Sequence, residues 1–108
     1  MLNPKASSIV FPRLLLTGAA GQLGRELRTR LKAYCDVLRV SDQLDLGTAA
    51  SGEEIQTADL SDASGMQSLL KSVDAVVHLG GISTEQPWAP ILASNIVGMV
   101  NLYEAARL

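Results

Sequence analysis

Three glycines spaced by three, Gly18, Gly21 and Gly24, follow directly on the apolar run Leu14-Leu15-Leu16-Thr17. That order of residue types makes a buried strand, a tight turn and a helix start in one piece, and the chemistry it suits is anion binding. Glycine at 18 lets the chain leave the strand through a conformation that a Cβ hinders. At 21 it leaves room for a pyrophosphate against the backbone, and at 24 it lets the new helix lie close on the sheet. The helix start adds N–H groups that lack intrahelical acceptors and the positive end of the helix dipole. The spacing is one residue longer than the general G-x-G-x-x-G fingerprint. By themselves three glycines also fit an ordinary strand-to-helix turn, so the flanking residues decide.

Two acids extend the pattern. Asp42 lies 18 residues beyond Gly24, at the end of a second apolar segment. Dinucleotide folds place an acid about 20 residues on, where it accepts hydrogen bonds from the adenosine ribose. A carboxylate there repels a 2′-phosphate, so NAD is expected rather than NADP. Asp59, after a third short strand, is expected near the adenine amino group. Gly80-Gly81 closes a fourth apolar run, and a double glycine at the carboxyl edge of a parallel sheet points to close approach of the backbone to the cofactor. His78 is the sole histidine and Cys35 the sole cysteine. With no partner for a metal cluster, His78 is read as a packed or hydrogen-bonded strand residue and Cys35 as a semi-buried thiol; no metal is expected.

The elements that must position these residues are legible as changes of period. Met1 to Pro12 has no sustained period and reads as a flexible leader. Arg13 to Leu16 forms strand one. Leu23, Leu27, Leu31 and Tyr34 then recur at helical spacing, giving an amphipathic helix with a leucine face on the sheet, ended by Asp36. Val37 to Val40 is strand two, residues 43–52 a surface connection, and Glu54 to Ala58 strand three. Ser61-Asp62 caps a helix from Ala63 to about Ser72 with Met66, Leu69, Leu70 and Val73 inward. Ala75 to Leu79 is strand four. Pro87 and Pro90 interrupt the chain before a last helix, whose stripe of Leu92, Ile96, Met99, Val100 and Tyr103 is expected to pack on the sheet.

Four strands alternating with three helices predict an α/β fold, the N-terminal part of a Rossmann-type doubly wound parallel sheet with right-handed crossovers, over residues 13–108. The 108 residues allow one domain. Net charge of −2 with scattered Lys and Arg argues against nucleic acid. No apolar run reaches the roughly 18–20 residues of a membrane span, and no signal peptide pattern opens the chain, so a cytoplasmic protein is expected. Half a sheet leaves strand edges and part of the last helix uncovered, which predicts marginal stability or association.

Thr17-Gly18-Ala19-Ala20-Gly21-Gln22-Leu23-Gly24, Asp42, Ala58-Asp59-Leu60, His78-Leu79-Gly80-Gly81-Ile82-Ser83 and Asn95 with Asn101-Leu102-Tyr103-Glu104-Ala105-Ala106-Arg107 together resemble the N-terminal part of an extended short-chain dehydrogenase/reductase, in the NAD-dependent epimerase/dehydratase group. The His78–Ser83 string is the most discriminating piece, and with the glycine motif it is most similar to the uronate dehydrogenase branch. The resemblance, which runs from about Arg13 to Leu108, implies NAD-dependent oxidation of glucuronate or galacturonate at C1 to an aldarolactone. It implies Gln22 and Leu23 at the pyrophosphate, Asp42 at the ribose, Asp59-Leu60 around adenine, and Leu79, Gly80 and Gly81 along the cofactor. Ser83 would touch the sugar acid, and Asn95 would hold the neighbouring strand or a water network. The complete protein is expected to be a homo-oligomer.

The group's catalysts are a Ser or Thr and a Tyr-x-x-x-Lys pair, whose tyrosinate is the base. Tyr34 is followed four positions on by Leu38, and Tyr103 by Arg107. The resemblance therefore places catalysis beyond residue 108 and implies a chain truncated before it, which binds cofactor without turnover. A sugar-nucleotide epimerase or dehydratase of the same group, and a non-catalytic dinucleotide-binding module, fit the same residues.

Overall fold

The computed structural model describes residues 10–108. Most of the expected leader, residues 1–9, lies outside the described residues, and strand β1 (Phe11–Thr17) already begins at Phe11, two positions ahead of Arg13. Helix α1 (Gln22–Arg30) follows the glycine turn, and a 3-10 turn (Leu31–Tyr34) leads into β2 (Cys35–Ser41). Asp36 therefore lies inside β2 and does not end the helix; the tighter 3-10 turn does that. Then come β3 (Glu53–Ile55), α2 (Ala63–Leu69), β4 (Ala75–His78) and a helical rod. The rod has three parts: α3 (Trp88–Ile91), a π-helical stretch (Leu92–Val97) and α4 (Gly98–Arg107). Pro90 sits in the rod's first turn, where its missing N–H costs no helical bond.

All pairings are parallel and the strand order is β3-β2-β1-β4. A strand covered on both faces must be apolar at every position, which is why β1 carries three consecutive leucines. Leu14 and Leu16 join Leu38, Val40 and Cys35 on the side of α1, while Leu15 joins Met66, Leu69, Leu102 and Ala105 on the other. Cys35 is fully buried, its Sγ facing the Leu31 carbonyl. Arg39 lies on the Leu15 face, in register with Leu15, and donates to the carbonyl oxygens of Leu69 and Lys71 at 2.6 and 2.9 Å. It thereby closes the C-terminal end of α2.

Boundaries and faces differ from the sequence expectation in identifiable ways. Strand three stops at Ile55 and the next helix at Leu69, each short of its expected end. Asp62 occupies the N-cap of α2 but makes no side-chain cap bond, its carboxylate instead accepting from the Ser64 hydroxyl. On α1 the inner face starts at Gly24 rather than Leu23, which is 59% exposed. The stripe expected to pack the last helix on the sheet faces outward: Val100 is 57% and Tyr103 68% exposed. The π-helical stretch widens the turn before Gly98 and shifts the helical phase, so Gly98, Leu102 and Ala105 form the inner face. Ala105 packs with Met66 and Leu69 of α2, while Gly98 meets Leu60 in the loop before α2.

Candidate functional site

The strand order creates the site. The chain runs outward from β1 through β2 to β3, then returns to β4 on the opposite side of β1. The loops after β1 and β4 therefore diverge in opposite directions, and at such a switch point open parallel sheets bind ligands. A cleft of about 780 Å³ opens there.

Its floor is the glycine turn. Gly18 has φ +68° and ends β1 so tightly against β4 that a Cβ would stand 2.6 Å from the Leu79 carbonyl carbon. A side chain at Gly24 would fall on the Gly18 carbonyl oxygen and within 2.8 Å of the Ala19 Cα. Gly24 thus seats α1 on its own turn, where sequence reasoning expected contact with the sheet. Among the described residues, the one close neighbour above Gly21 is the Gly18 carbonyl oxygen at 3.4 Å. Gly21 is the N-cap of α1 and contributes no side-chain cap, so the N–H groups of the first turn, with no intrahelical acceptor, are left facing outward from the helix end.

Asp42 joins the turn to the end of β2. Its Oδ2 accepts the Ala20 N–H at 3.0 Å and its Oδ1 the Leu44 N–H at 3.1 Å. A carboxylate has about four acceptor positions, so about two remain for hydroxyl donors. Asp59 holds its own loop, accepting both the N–H and the hydroxyl of Ser61 at 2.9 and 2.8 Å. Those bonds, with a further one from the Gln43 side chain, keep its carboxyl below the usual range against the opposing effect of burial.

The wall on the β4 side is held by neutral groups. Thr17 Oγ1, in a residue only 2% exposed, accepts the N–H groups of Leu79 and Gly80, each at 3.0 Å. With both lone pairs used, its hydroxyl proton points at His78 Nδ1, 2.6 Å away. His78 is therefore a neutral acceptor at Nδ1, and burial pushes its pKa below the usual imidazole value. That is the hydrogen-bonded structural part its strand position suggests. Further along, Asn95 grips Ile82 at both backbone atoms, accepting its N–H at 2.7 Å and donating to its carbonyl at 2.8 Å.

Of the residues singled out from sequence, Gly18, Gly21, Asp42, Leu60, Leu79, Gly80, Gly81 and Ser83 line this one cleft. Gln22, Leu23, Gly24 and Asp59 do not line it. Gln22 and Leu23 border it at the helix start, with their side chains exposed to solvent. Thr17, Gln43, Ser94 and Met99 also line it and were given no part in the site from sequence. For Thr17 a signal existed: a hydroxyl at the last position of a buried strand needs hydrogen-bond partners. Among the described residues lining the cleft, Asp42 is the one that carries a full charge, and no Arg or Lys is present.

Known proteins share this fold. A model of the NAD dependent epimerase/dehydratase family matches residues 14–108. The uronate dehydrogenase of Pseudomonas putida is 52% identical over 98 residues, 90% of this chain and 37% of its own length. Among solved structures, a mutant of uronate dehydrogenase from Agrobacterium tumefaciens complexed with NAD is 49% identical with a TM-score of 0.89, over 91% of this chain and 37% of that one. Glucuronic acid dehydrogenase from Chromohalobacter salexigens gives the same identity, TM-score and coverage. The chain thus spans little more than a third of the length of the relatives it matches.

Proposed function

This chain belongs to the NAD dependent epimerase/dehydratase family, and from that premise we propose that it is the NAD-binding part of an enzyme that oxidises a hexuronate, glucuronate or galacturonate, at C1 to the aldarolactone. One observation carries the cofactor reading: the cleft at the β1–β4 switch point offers backbone N–H groups and one carboxylate, with no cation among its described lining residues. The first-turn N–H groups at Gln22 and Leu23 are the donors for a pyrophosphate, and the open space above Gly21 admits it. Asp42 accepts the ribose hydroxyls with its remaining lone pairs, and a 2′-phosphate there meets a carboxylate with no Arg or Lys to offset it. Asp59 and Leu60 border the adenine, and Leu79, Gly80 and Gly81 the nicotinamide side.

When bound, NAD supplies the acceptor for the hydride leaving C1 of the sugar acid. Ser83, exposed at the rim beyond Gly81, is the hydroxyl this chain offers to that substrate. The bidentate hold of Asn95 on Ile82 keeps the Gly81–Ser83 backbone in place beneath it. Tyr34 and Tyr103 lack a lysine four positions on, so proton removal from the sugar hydroxyl is assigned to residues other than these. The choice of a uronate rests on the relatives' identities, 49–52%, rather than on any contact in the cleft.

The proposal extends to a cytoplasmic, homo-oligomeric whole protein. Supporting it are the single cysteine and the apolar side chains of Val100 and Tyr103 left exposed on α4. Among the described residues no helix is long and apolar enough to cross a membrane.

The test is NADH formation by the full-length protein on glucuronate and galacturonate. Uronate-dependent NADH is expected. Turnover of a UDP-hexose with no uronate oxidation would move the assignment to a sugar-nucleotide epimerase or dehydratase of the same family, and absence of both activities would contradict the substrate assignment altogether.

A further inference from the structure

Leu60 is held from two sides by the last helix. Its carbonyl oxygen accepts a hydrogen bond from Asn101 Nδ2 at 2.9 Å. Its Cβ lies against Gly98, only 2.7 Å from where a Cβ on that glycine would stand. Its Cδ1 then reaches across the cleft floor to Gly80, 3.1 Å from the ideal Cβ position there. Asn101 is half-buried and sits inside α4, where asparagine is a poor helix former, so its place calls for a reason beyond helix stability.

The same rod holds the opposite wall. Six residues earlier, in the π-helical stretch, Asn95 grips Ile82 in the loop after β4. A π-turn inside an α-helix changes the direction in which successive side chains leave the axis. Here Asn95 bonds the loop after β4, while Asn101 bonds the loop after β3. One rigid element thus sets the spacing of the two loops that face each other across the cleft.

We propose that Asn101 is a positioning residue for the adenosine half of the cleft: by fixing the Leu60 carbonyl, it holds the Asp59-Leu60 backbone at the distance from Gly80 that an adenine ring requires. The inference rests on the reading that NAD occupies the cleft. Asp59 is the next residue toward β3, and its carboxylate is the acceptor for the adenine amino group. Release of Leu60 lets that acceptor drift, while the loop after β4, held by Asn95 and Thr17, stays in place. The effect should therefore fall on recognition of the base and leave the nicotinamide side untouched.

The experiment titrates the full chain with NAD and with nicotinamide hypoxanthine dinucleotide, in which a carbonyl replaces the adenine amino group. The unmodified protein is expected to bind NAD more tightly than the analogue. In Asn101→Leu the Kd for NAD should rise about five-fold, the effect of one lost hydrogen bond, with the analogue nearly unchanged, so the preference shrinks by the same factor. Gly98→Ala displaces Leu60 from its other side and should give the same selective loss; it decides the matter if Asn101→Leu does not fold. Equal weakening of both dinucleotides, no change in either, or an unmodified protein without preference between them overturns the positioning role while leaving the cofactor reading intact. Failure of the unmodified protein to bind NAD overturns the cofactor reading itself, and the positioning role with it.

Discussion

Two of the three seams of the sheet are fastened by different chemistry. At the β2–β3 edge the fastening is ionic: Glu53, its side chain 1% exposed, takes a two-pronged guanidinium from Arg28 at 2.8 and 2.9 Å and the Lys32 ammonium at 3.0 Å. Its neighbour Glu54 takes Arg13 and Arg39 at 2.9 and 3.2 Å. At the β1–β4 seam, the Asp74 carboxylate accepts the Arg13 N–H at the far end, but between Thr17 and the β4 strand at the cleft end no charged side chain takes part among the described residues. The fastening there is the Thr17 hydroxyl, the neutral His78 ring and the backbone contact at Gly18. The difference teaches how a site for a charged ligand is kept selective. A fixed cation in the cleft attracts any phosphate, including the 2′-phosphate of the wrong dinucleotide. On the proposed reading, oriented N–H groups with one carboxylate on the ribose side bind the diphosphate and refuse the extra charge.

The contrast can be broken most severely at Gly18. Gly18→Val places a branched side chain at φ +68° and drives it into the Leu79 carbonyl. A loss of about 3 kcal/mol or more in urea unfolding is expected, from backbone strain plus overpacking, together with loss of NAD binding. A variant that kept normal affinity would show that the seam's closeness is not needed.

Glu53→Gln tests the opposite seam. It should lower stability by about 2–3 kcal/mol, since bonds to a charged group are lost and Arg28 is left partly buried without its partner, while the Kd for NAD stays unchanged. The pH dependence follows the same residue. Hydrogen bonding from Arg28, above all, holds the Glu53 carboxyl at about 2 against an ordinary 4.5. Its folded pKa is depressed, so its stabilisation is complete above 4.5 and is lost as pH falls from there toward about 2. Acid unfolding curves of Glu53→Gln should be flatter across that window.

Thr17→Val, an intermediate change, removes the acceptor for two N–H groups and the donor to His78. A stability loss of about 1–2 kcal/mol is expected. Unlike Glu53→Gln, it should weaken NAD binding as well, because Gly80 is released. Equal effects of the two substitutions on binding would erase the distinction between the seams. The smallest effect belongs to His78. Burial depresses its pKa, so the unfolded chain binds its proton more readily and stability should rise with pH up to the ordinary imidazole value of 6.5. An NMR titration of the ring with its midpoint at or above 6.5 would contradict this.

Much of the fold was legible because its signals are local. Three consecutive leucines before a glycine turn read as a strand buried on both faces, and the acid at position 42, at the end of the second strand, lines the cleft, its part at a ribose being the proposal. What escaped were properties of the third dimension. On α1 the expected Leu27 and Leu31 do pack on the core, but Leu23, like Val100 and Tyr103 on the last helix, faces outward, whereas small residues make the close contacts: Gly24 on its own turn, Gly98 on Leu60 and Ala105 beside Met66 and Leu69. Close packing there is won by absence of side chain, which periodicity of large residues does not register. The π-helical stretch has no sequence period of its own, so the phase shift it imposes was invisible. Thr17 and Asn101 were passed over for a different reason: each acts on a backbone group more than 40 positions away.

The central claim is that the backbone at the β1–β4 switch point, and not a cationic side chain, receives the dinucleotide. The most direct test follows backbone amide resonances of the full-length protein during titration with NAD. Saturable shifts at Gly21, Gln22, Leu23, Gly80 and Gly81, absent with NADP at the same concentrations, are the expected result. Saturation without movement of those amides, or equal shifts with NADP, would contradict the account.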